Sequence, residues 1–243
     1  MSLPKIQHPL FDITIPSTKE KIKMRPMVVR EEKILLMAKF SEDETDIFNA
    51  IKQVVNNCIV NDNIDIDKLA IFDLEYLFLK LRCHSVENTV KVKYEDLDDG
   101  EIRDFEINLD EVEVRFPENI ETKILIDSDT GFTLKYPPAK LYDDKSFMKE
   151  EQVEKQIDIL VLESVDLIFD GEDVFKASDY KREELNDWVL SLAINDYNKI
   201  ENFLENSPSI FYEITYTNKE EVEKKIILNK LSDFFMLRWA TQT

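Results

Sequence analysis

Glycine is scarce in this chain: three residues in 243, at Gly100, Gly131 and Gly171. No two stand close enough for a phosphate-cradling loop or a dinucleotide fingerprint, which excludes nucleotide binding by those routes. Histidine is scarcer still, at His8 and His84. Two cysteines, Cys58 and Cys83, are too few for a disulfide framework or a four-thiolate zinc site. Both lie in apolar helical patterns and read as buried, reduced thiols. His84 follows Cys83 directly, but adjacent helical positions point roughly 100° apart. His84 therefore reads as a cation at a helix C-terminus rather than half of a catalytic dyad. No apolar run approaches the ~20 residues of a membrane span. The opening "MSLPKIQHPLFDI" lacks the charged start and apolar run of a secretory leader. The expectation is a soluble protein of a reducing cytoplasm.

What the chain has in quantity is acid. Its formal charge is -20, with 51 Asp and Glu against 31 Lys and Arg. That balance argues against nucleic acid as a partner, since phosphate binding needs clustered bases. It favours solubility and fast encounters with basic protein surfaces. An apolar fraction of 43%, with 15 Phe, 8 Tyr and 2 Trp, is ample for a core and unlike a disordered acidic tail.

Periodicity divides the chain into hairpins and helices. Phe11, Ile13 and Ile15 alternate, as do Ile22 and Met24, around Pro16-Ser17-Thr18, which reads as a β-hairpin. Pro26 closes it. "VVREEKILLMAKF" then reads as a helix with Val28, Ile34, Leu35 and Ala38 inward. Ser41 with Glu44 reads as a capping box opening a second helix on Ile47, Ile51, Val54, Val55 and Cys58. "DKLAIFDLEYLFLKLRC" is apolar almost all round and is expected at the centre of the N-terminal half. A second hairpin follows in "VKVKYEDLDDGEIRDFEINLDEVEV" and a third in "ETKILIDSDTGFTLKYPP". Helices are expected to return along Val153, Ile157, Leu160, Val161, Val165 and Ile168. A helix pair follows, whose first member starts at a Ser178 hydroxyl cap. A fourth hairpin and a short apolar helix end the chain. The fold class expected is α+β, helices interspersed with about four β-hairpins around a helical N-terminal core. The second and fourth hairpins share a pattern. The division is therefore either 1–118 and 119–243, the latter a weak repeat of the former, or one continuous domain.

The motif nearest to chemistry is "ILIDSDTGFTL". Asp129-Thr130-Gly131 after an apolar strand is similar to the catalytic triplet of aspartic proteases, which need two copies sharing a proton. Here there is one copy, followed by bulky Phe132. Asp127, Asp129 and Gly131 also hint at a calcium loop, but the position that should carry the bidentate Glu is Pro138. The motif reads as a tight turn. No catalytic residue, metal ligand or cofactor is expected, and the chain is read as a non-enzyme.

Charge is distributed unevenly. From Ser17 to Lys39 seven bases (Lys19, Lys21, Lys23, Arg25, Arg30, Lys33, Lys39) face three acids, Glu20, Glu31 and Glu32. From Glu95 to Glu118 eleven acids face two bases, Arg103 and Arg115. Glu31 and Glu32 also suit the first turn of a helix. The expected partner contacts are Lys19, Lys21, Lys23 and Arg25 at the basic pole, and Asp98, Asp99 and Glu101 at the acidic one. Opposite poles also admit contacts between copies, and tune association rate and register more than affinity.

The order "IPSTKEKIKMRPMVVREEKILLMA", "IFNAIKQVVNNCI", "IDIDKLAIFDLEYLFLKLR" and a hairpin ending "INLDEVEV" resembles the baseplate hub assembly family of T4-like contractile-tailed bacteriophages. The residues carrying it are Ile15-Pro16-Ser17-Thr18, the basic run Lys21 to Arg25, Arg25-Pro26, Glu31-Glu32-Lys33 and Phe72-Asp73-Leu74-Glu75-Tyr76-Leu77, within about the first 120 residues. The resemblance implies a structural or assembly component of the tail baseplate hub. Its partners would be other phage hub and tail proteins, and it would be made in the host cytoplasm and carried into the virion where retained. The contending reading is an acidic DNA mimic that inhibits a host DNA-processing enzyme.

Overall fold

The computed structural model describes residues 6–41, 43–61, 64–96, 98–143, 147 and 153–234. Its elements are α+β: helices alternate with strands gathered into small antiparallel sheets. Contacts group the chain into two compact units, one comprising Met1–Ile66, Phe72–Arg115 and Ser209–Thr243, the other Asp67–Ile71 and Phe116–Pro208. The sequence division at residue 118 and this grouping differ in where the last hairpin belongs.

In the first unit, β1 (Phe11–Thr14) pairs with β2 (Lys21–Met24). Alternation buries Ile13, Ile15, Ile22 and Met24 on one side of this hairpin. Helix α1 (Val29–Ser41) packs on α2 (Glu44–Cys58), with Ile34, Leu35 and Ala38 half-buried. The cap of α2 is Asp43, whose carboxylate accepts from the Thr45 N–H at 3.0 Å. This corrects the expectation for Ser41, which closes α1 by donating its hydroxyl to the Ala38 carbonyl at 2.6 Å.

Helix α3 (Ile71–Ser85) buries Phe72, Asp73, Leu74, Leu77, Phe78, Leu79, Lys80 and Leu81, as its all-round apolar pattern requires. Leu79 joins a core with Val90, Val92, Ile107, Ile210, Ile214 and Leu228. Those residues come from the hairpin β3 (Thr89–Asp96) and β4 (Glu101–Asn108), and from β10 (Ser209–Thr217) and β11 (Glu223–Leu228). The short β5 (Glu113–Arg115) pairs with the start of β10, which draws the last hairpin into the first unit. Lys80 donates to the carbonyls of Leu109 and Asp110 at 3.0 and 2.7 Å, so this buried ammonium is hydrogen-bonded.

The second unit is a four-stranded sheet ordered β6 (Lys123–Leu125), β7 (Thr130–Leu134), β8 (Val165–Asp170) and β9 (Asp173–Lys176). It is covered by α4 (Val153–Ser164), α5 (Arg182–Leu190) and α6 (Ile194–Glu205). Its core contains Ile124, Phe132, Val161, Val165, Leu185, Val189, Ile200 and Phe203. Two expectations are corrected here. The helix expected through Ile168 ends at Ser164, and the β-branched and aromatic run after it becomes β8. Gly171-Glu172, with Gly171 at φ 61, turns β8 into β9, a hairpin missed in the sequence. Likewise α5 opens after Lys181, whose N–H donates to the Glu184 carboxylate at 3.2 Å, and Ser178 lies in a preceding turn. Of the short apolar helix expected at the end of the chain, Leu231–Phe234 form one 3-10 turn, and the residues beyond Phe234 lie outside the described ones.

Candidate functional site

The sequence-predicted contacts all fall in the first unit, on two hairpins. In β2 the alternation that buries Ile22 and Met24 turns Lys21 and Lys23 outward. Across the outer face, Thr14 stands opposite Lys21 and Asp12 opposite Lys23. Lys19 is exposed in the turn at φ 60, where its N–H donates to the Ile15 carbonyl at 2.9 Å. The hairpin is firmly backed. Ser17 donates its N–H and hydroxyl to the Asp73 carboxylate at 2.9 and 2.5 Å. The outer edge of β2 joins the end of α2, with the Val60 N–H on the Lys23 carbonyl at 2.8 Å and the Arg25 N–H on the Cys58 carbonyl at 2.9 Å. A rigid support for exposed charges lowers the entropy lost when a partner binds.

Arg25 is engaged within the molecule and is 25% exposed. Its guanidinium donates to both oxygens of Glu31, at 2.9 and 3.3 Å, and to the carbonyls of Pro26 and Asn57, each at 3.0 Å. Glu31 is 1% exposed and also accepts the Val28 N–H at 3.0 Å. Burial alone would raise the Glu31 pKa. The hydrogen bonds from Arg25 and Val28 outweigh it and hold the carboxyl below the usual range. Arg25 is thus the joint between the hairpin, α1 and the end of α2.

The acidic turn is also largely spent within the molecule. Asp99, with its side chain 5% exposed, takes both arms of Arg103 at 3.1 and 2.5 Å and accepts the Lys219 N–H at 3.1 Å. The Arg103 hydrogen bond keeps its carboxyl well below the ordinary range. Glu101 bridges Arg103 at 2.9 Å and the Lys219 ammonium at 2.8 Å, while Asp98 pairs with Lys224. Buried Asp96 accepts the Tyr216 hydroxyl at 2.7 Å, and the Arg103 guanidinium lies 5.2 Å over the Tyr216 ring. Burial and Asp96 push the Tyr216 phenol up to about 12. This network clamps the β3–β4 turn onto the β10–β11 hairpin. Asp98 and Glu101 retain outward surface, at 55% and 39% exposure, and Asp99 does not.

Sequence reading missed Tyr216, Lys219 and Lys224 because their partners lie some 120 residues away. It also missed Asp73 as the anchor of the turn. A signal existed there: a carboxylate in an otherwise apolar helix run must find donors.

Elsewhere the chemical candidates become structural. Burial pushes the Cys83 thiol up to about 11, with nearby Asp110 adding to it, so it stays protonated. His84 holds its Nδ1 2.9 Å from the Lys80 carbonyl and stacks on Phe11 at 3.9 Å between ring centroids. Asp127 accepts the N–H groups of Asp129 and Thr130 at 2.9 and 2.8 Å, which makes the Asp129-Thr130-Gly131 segment an Asx-type turn. Among the described residues no group of three or more His, Cys, Asp or Glu could hold a metal ion. No described helix is long and apolar enough to cross a membrane.

A sequence model described as T4 bacteriophage base plate protein matches residues 8–236. The chain belongs to this family. The match runs well past the residues whose order first suggested it and takes in both compact units of this base plate protein. No curated protein and no solved structure matches the chain.

One carboxylate in the family-like α3 segment has a marked proton affinity. Burial, and then the Asp233 charge, push Glu75 up to about 7 against a hydrogen bond from the Leu231 N–H. An acid with a raised folded pKa is protonated in the folded protein before it is in the unfolded one. Stability should therefore fall as pH rises from the unfolded value near ~4.3 to about 7. Glu75→Gln is expected to flatten that slope and to be more stable than wild type at pH 8 by about 2 kcal/mol, allowing for the partial exposure of the side chain. Denaturation midpoints at pH 5 and pH 8 measure it. An unchanged slope in the variant would contradict the assignment.

Proposed function

We propose that this base plate protein is a structural or assembly component of the contractile-tail hub and works through protein–protein contacts. Its partners in this reading are other tail proteins, met in the host cytoplasm during assembly and in the virion where the chain is retained. The observation that carries the reading is the rigidly backed, exposed row Lys19, Lys21 and Lys23 on a chain of charge -20. Such a local reversal of charge suits an acidic neighbour and sets orientation on approach. Asp98 and Glu101 supply the opposite pole, and Arg25 and Asp99 act within the fold.

The DNA-mimic reading draws less support. A decoy needs carboxylates displayed at phosphate-like spacing, and here Asp96 and Asp99 are consumed by Tyr216, Arg103 and Lys219.

The test is the triple reversal Lys19→Glu, Lys21→Glu, Lys23→Glu. All three side chains are exposed, so the thermal midpoint should change little, each site contributing within about 0.5 kcal/mol. Incorporation into baseplates, read by mass spectrometry of purified particles and assembly intermediates, should fall at least about tenfold. A triple variant that assembles normally removes the hairpin from the contact.

A further inference from the structure

Among the described residues, three that are not glycine have left-handed backbone: Lys19 at φ 60, Asn119 at φ 62 and Glu221 at φ 60. Asparagine takes this conformation readily, and an exposed acid such as Glu221 is ordinary on so acidic a chain. Neither reason covers Lys19. For a residue with a Cβ the left-handed region is disfavoured by a factor on the order of ten.

The turn leaves the backbone no alternative at this position. Pro16 is buried with its φ fixed by the ring, and Ser17 gives both its N–H and its hydroxyl to Asp73. The Lys19 N–H then closes on the Ile15 carbonyl and the Ile15 N–H on the Glu20 carbonyl, each at 2.9 Å. A short hairpin loop of this kind commonly ends on a left-handed residue, where glycine or asparagine costs least. A lysine there weakens the fold slightly.

The other two members of the row differ. Lys21 and Lys23 stand in extended backbone that any residue adopts, so neither strains the hairpin. Lysine at position 19 contributes what glycine lacks, a charged side chain on an exposed turn. Outliers of this sort persist where the surrounding structure over-determines them, and they gather where a segment binds.

We infer that Lys19 is the principal contact of the lysine row, its ammonium meeting a carboxylate of a neighbouring baseplate protein, and that this charge accounts for a lysine at a left-handed position. The inference rests on the proposed function and names the residue of the hairpin that sets its register.

The test compares Lys19→Asn, Lys19→Gly and Lys19→Arg with Lys21→Gln and Lys23→Gln, all in the full chain during baseplate assembly. Asn and Gly relieve the backbone, so the thermal midpoint should rise by about 2 °C. Incorporation into baseplates should nevertheless fall about fivefold, against less than about twofold for Lys21→Gln or Lys23→Gln. Lys19→Arg should keep the wild-type midpoint and incorporation. A residue that served only the turn would not move the two readouts in opposite directions. In wild-type baseplates a carbodiimide, which joins an amine to a carboxylate in contact, should couple Lys19 to an Asp or Glu of another baseplate protein. Lys19→Arg should assemble without that product.

Normal incorporation of Lys19→Asn, where reversal of all three lysines blocks assembly, overturns the inference and leaves the proposed function standing. A lower midpoint for both Lys19→Asn and Lys19→Gly overturns it as well, since the lysine would then serve the turn. So does a Lys19 coupled only to carboxylates of this chain. Normal assembly of the triple reversal instead overturns the hairpin's part in the proposed function, and this inference with it.

Discussion

Arg25→Glu is expected to destabilise the first unit by about 4 kcal/mol, the cost of leaving a buried carboxylate without its partner. Glu31 is almost wholly enclosed and takes both guanidinium arms, and the same guanidinium holds the Pro26 and Asn57 carbonyls. Reversal removes four hydrogen bonds at once and puts a second carboxylate against the first. Lys21→Glu, four residues before Arg25 in the chain and facing outward, should cost less than about 0.5 kcal/mol. Urea denaturation, with hydrogen exchange of the β1–β2 amides, distinguishes the two. The swap Arg25→Glu with Glu31→Arg should recover part of the loss, since the pair attracts in either order while the Val28 N–H then lacks its acceptor. A loss under about 1 kcal/mol for Arg25→Glu would show the pair to be a surface contact in effect. The pH dependence has a definite sign. The folded pKa of Glu31 is depressed, so its contribution is complete above the unfolded value near ~4.3 and is lost as pH falls through the lower folded value. A hub-contact test that included Arg25 in the reversed set would therefore confuse unfolding with lost binding, which is why the lysine triple excludes it.

Gly131→Ala is expected to cost the second unit about 3 kcal/mol, at the upper end for overpacking. Gly131 lies in β7 between Leu125 of β6 and Phe169 of β8. A methyl group there would overlap the Ile124 carbonyl oxygen and come within 2.6 Å of the Phe169 ring. The ring is a side chain and can rotate, at the expense of the Lys123 ammonium held 4.9 Å from its centroid. The carbonyl belongs to the sheet ladder and moves only if the strand moves. Phe169→Leu in the same chain should accordingly restore only part of the loss, as measured by thermal or chemical denaturation. Full restoration would locate the whole clash in the ring. The Asp129-Thr130-Gly131 motif, which invites an enzymatic reading, owes its glycine to this close packing and its aspartates to the turn before it.

The legibility of the chain followed the range of the forces involved. Four hairpins and the buried α3 were readable because alternation, helical period and turn residues act over a few neighbours. The β8 segment reads as helix because Val165 and Ile168 continue the apolar rhythm of α4. Strand pairing with β7 overrode that rhythm. The cap of α2 lies two residues from the one expected, since Ser41 and Asp43 suit the pattern equally well and only the backbone path selects one. That of α5 lies three residues on, at Lys181, which offers no capping hydroxyl or carboxylate.

By itself, the sequence determined the family, through the order of its motifs, together with the α+β alternation and the concentration of positive charge near the start of an acidic chain. Tertiary structure alone decided which charges stay exposed and which are enclosed. Lys21 and Arg25 look equivalent along the chain, yet one faces water and the other closes a buried pair. Asp98 and Asp99 are adjacent, yet only the second is enclosed by groups that include Lys219, 120 residues away. The physical reason is that an ion's role depends on its solvation and on which donors surround it, and both are properties of packing between distant segments rather than of local spacing.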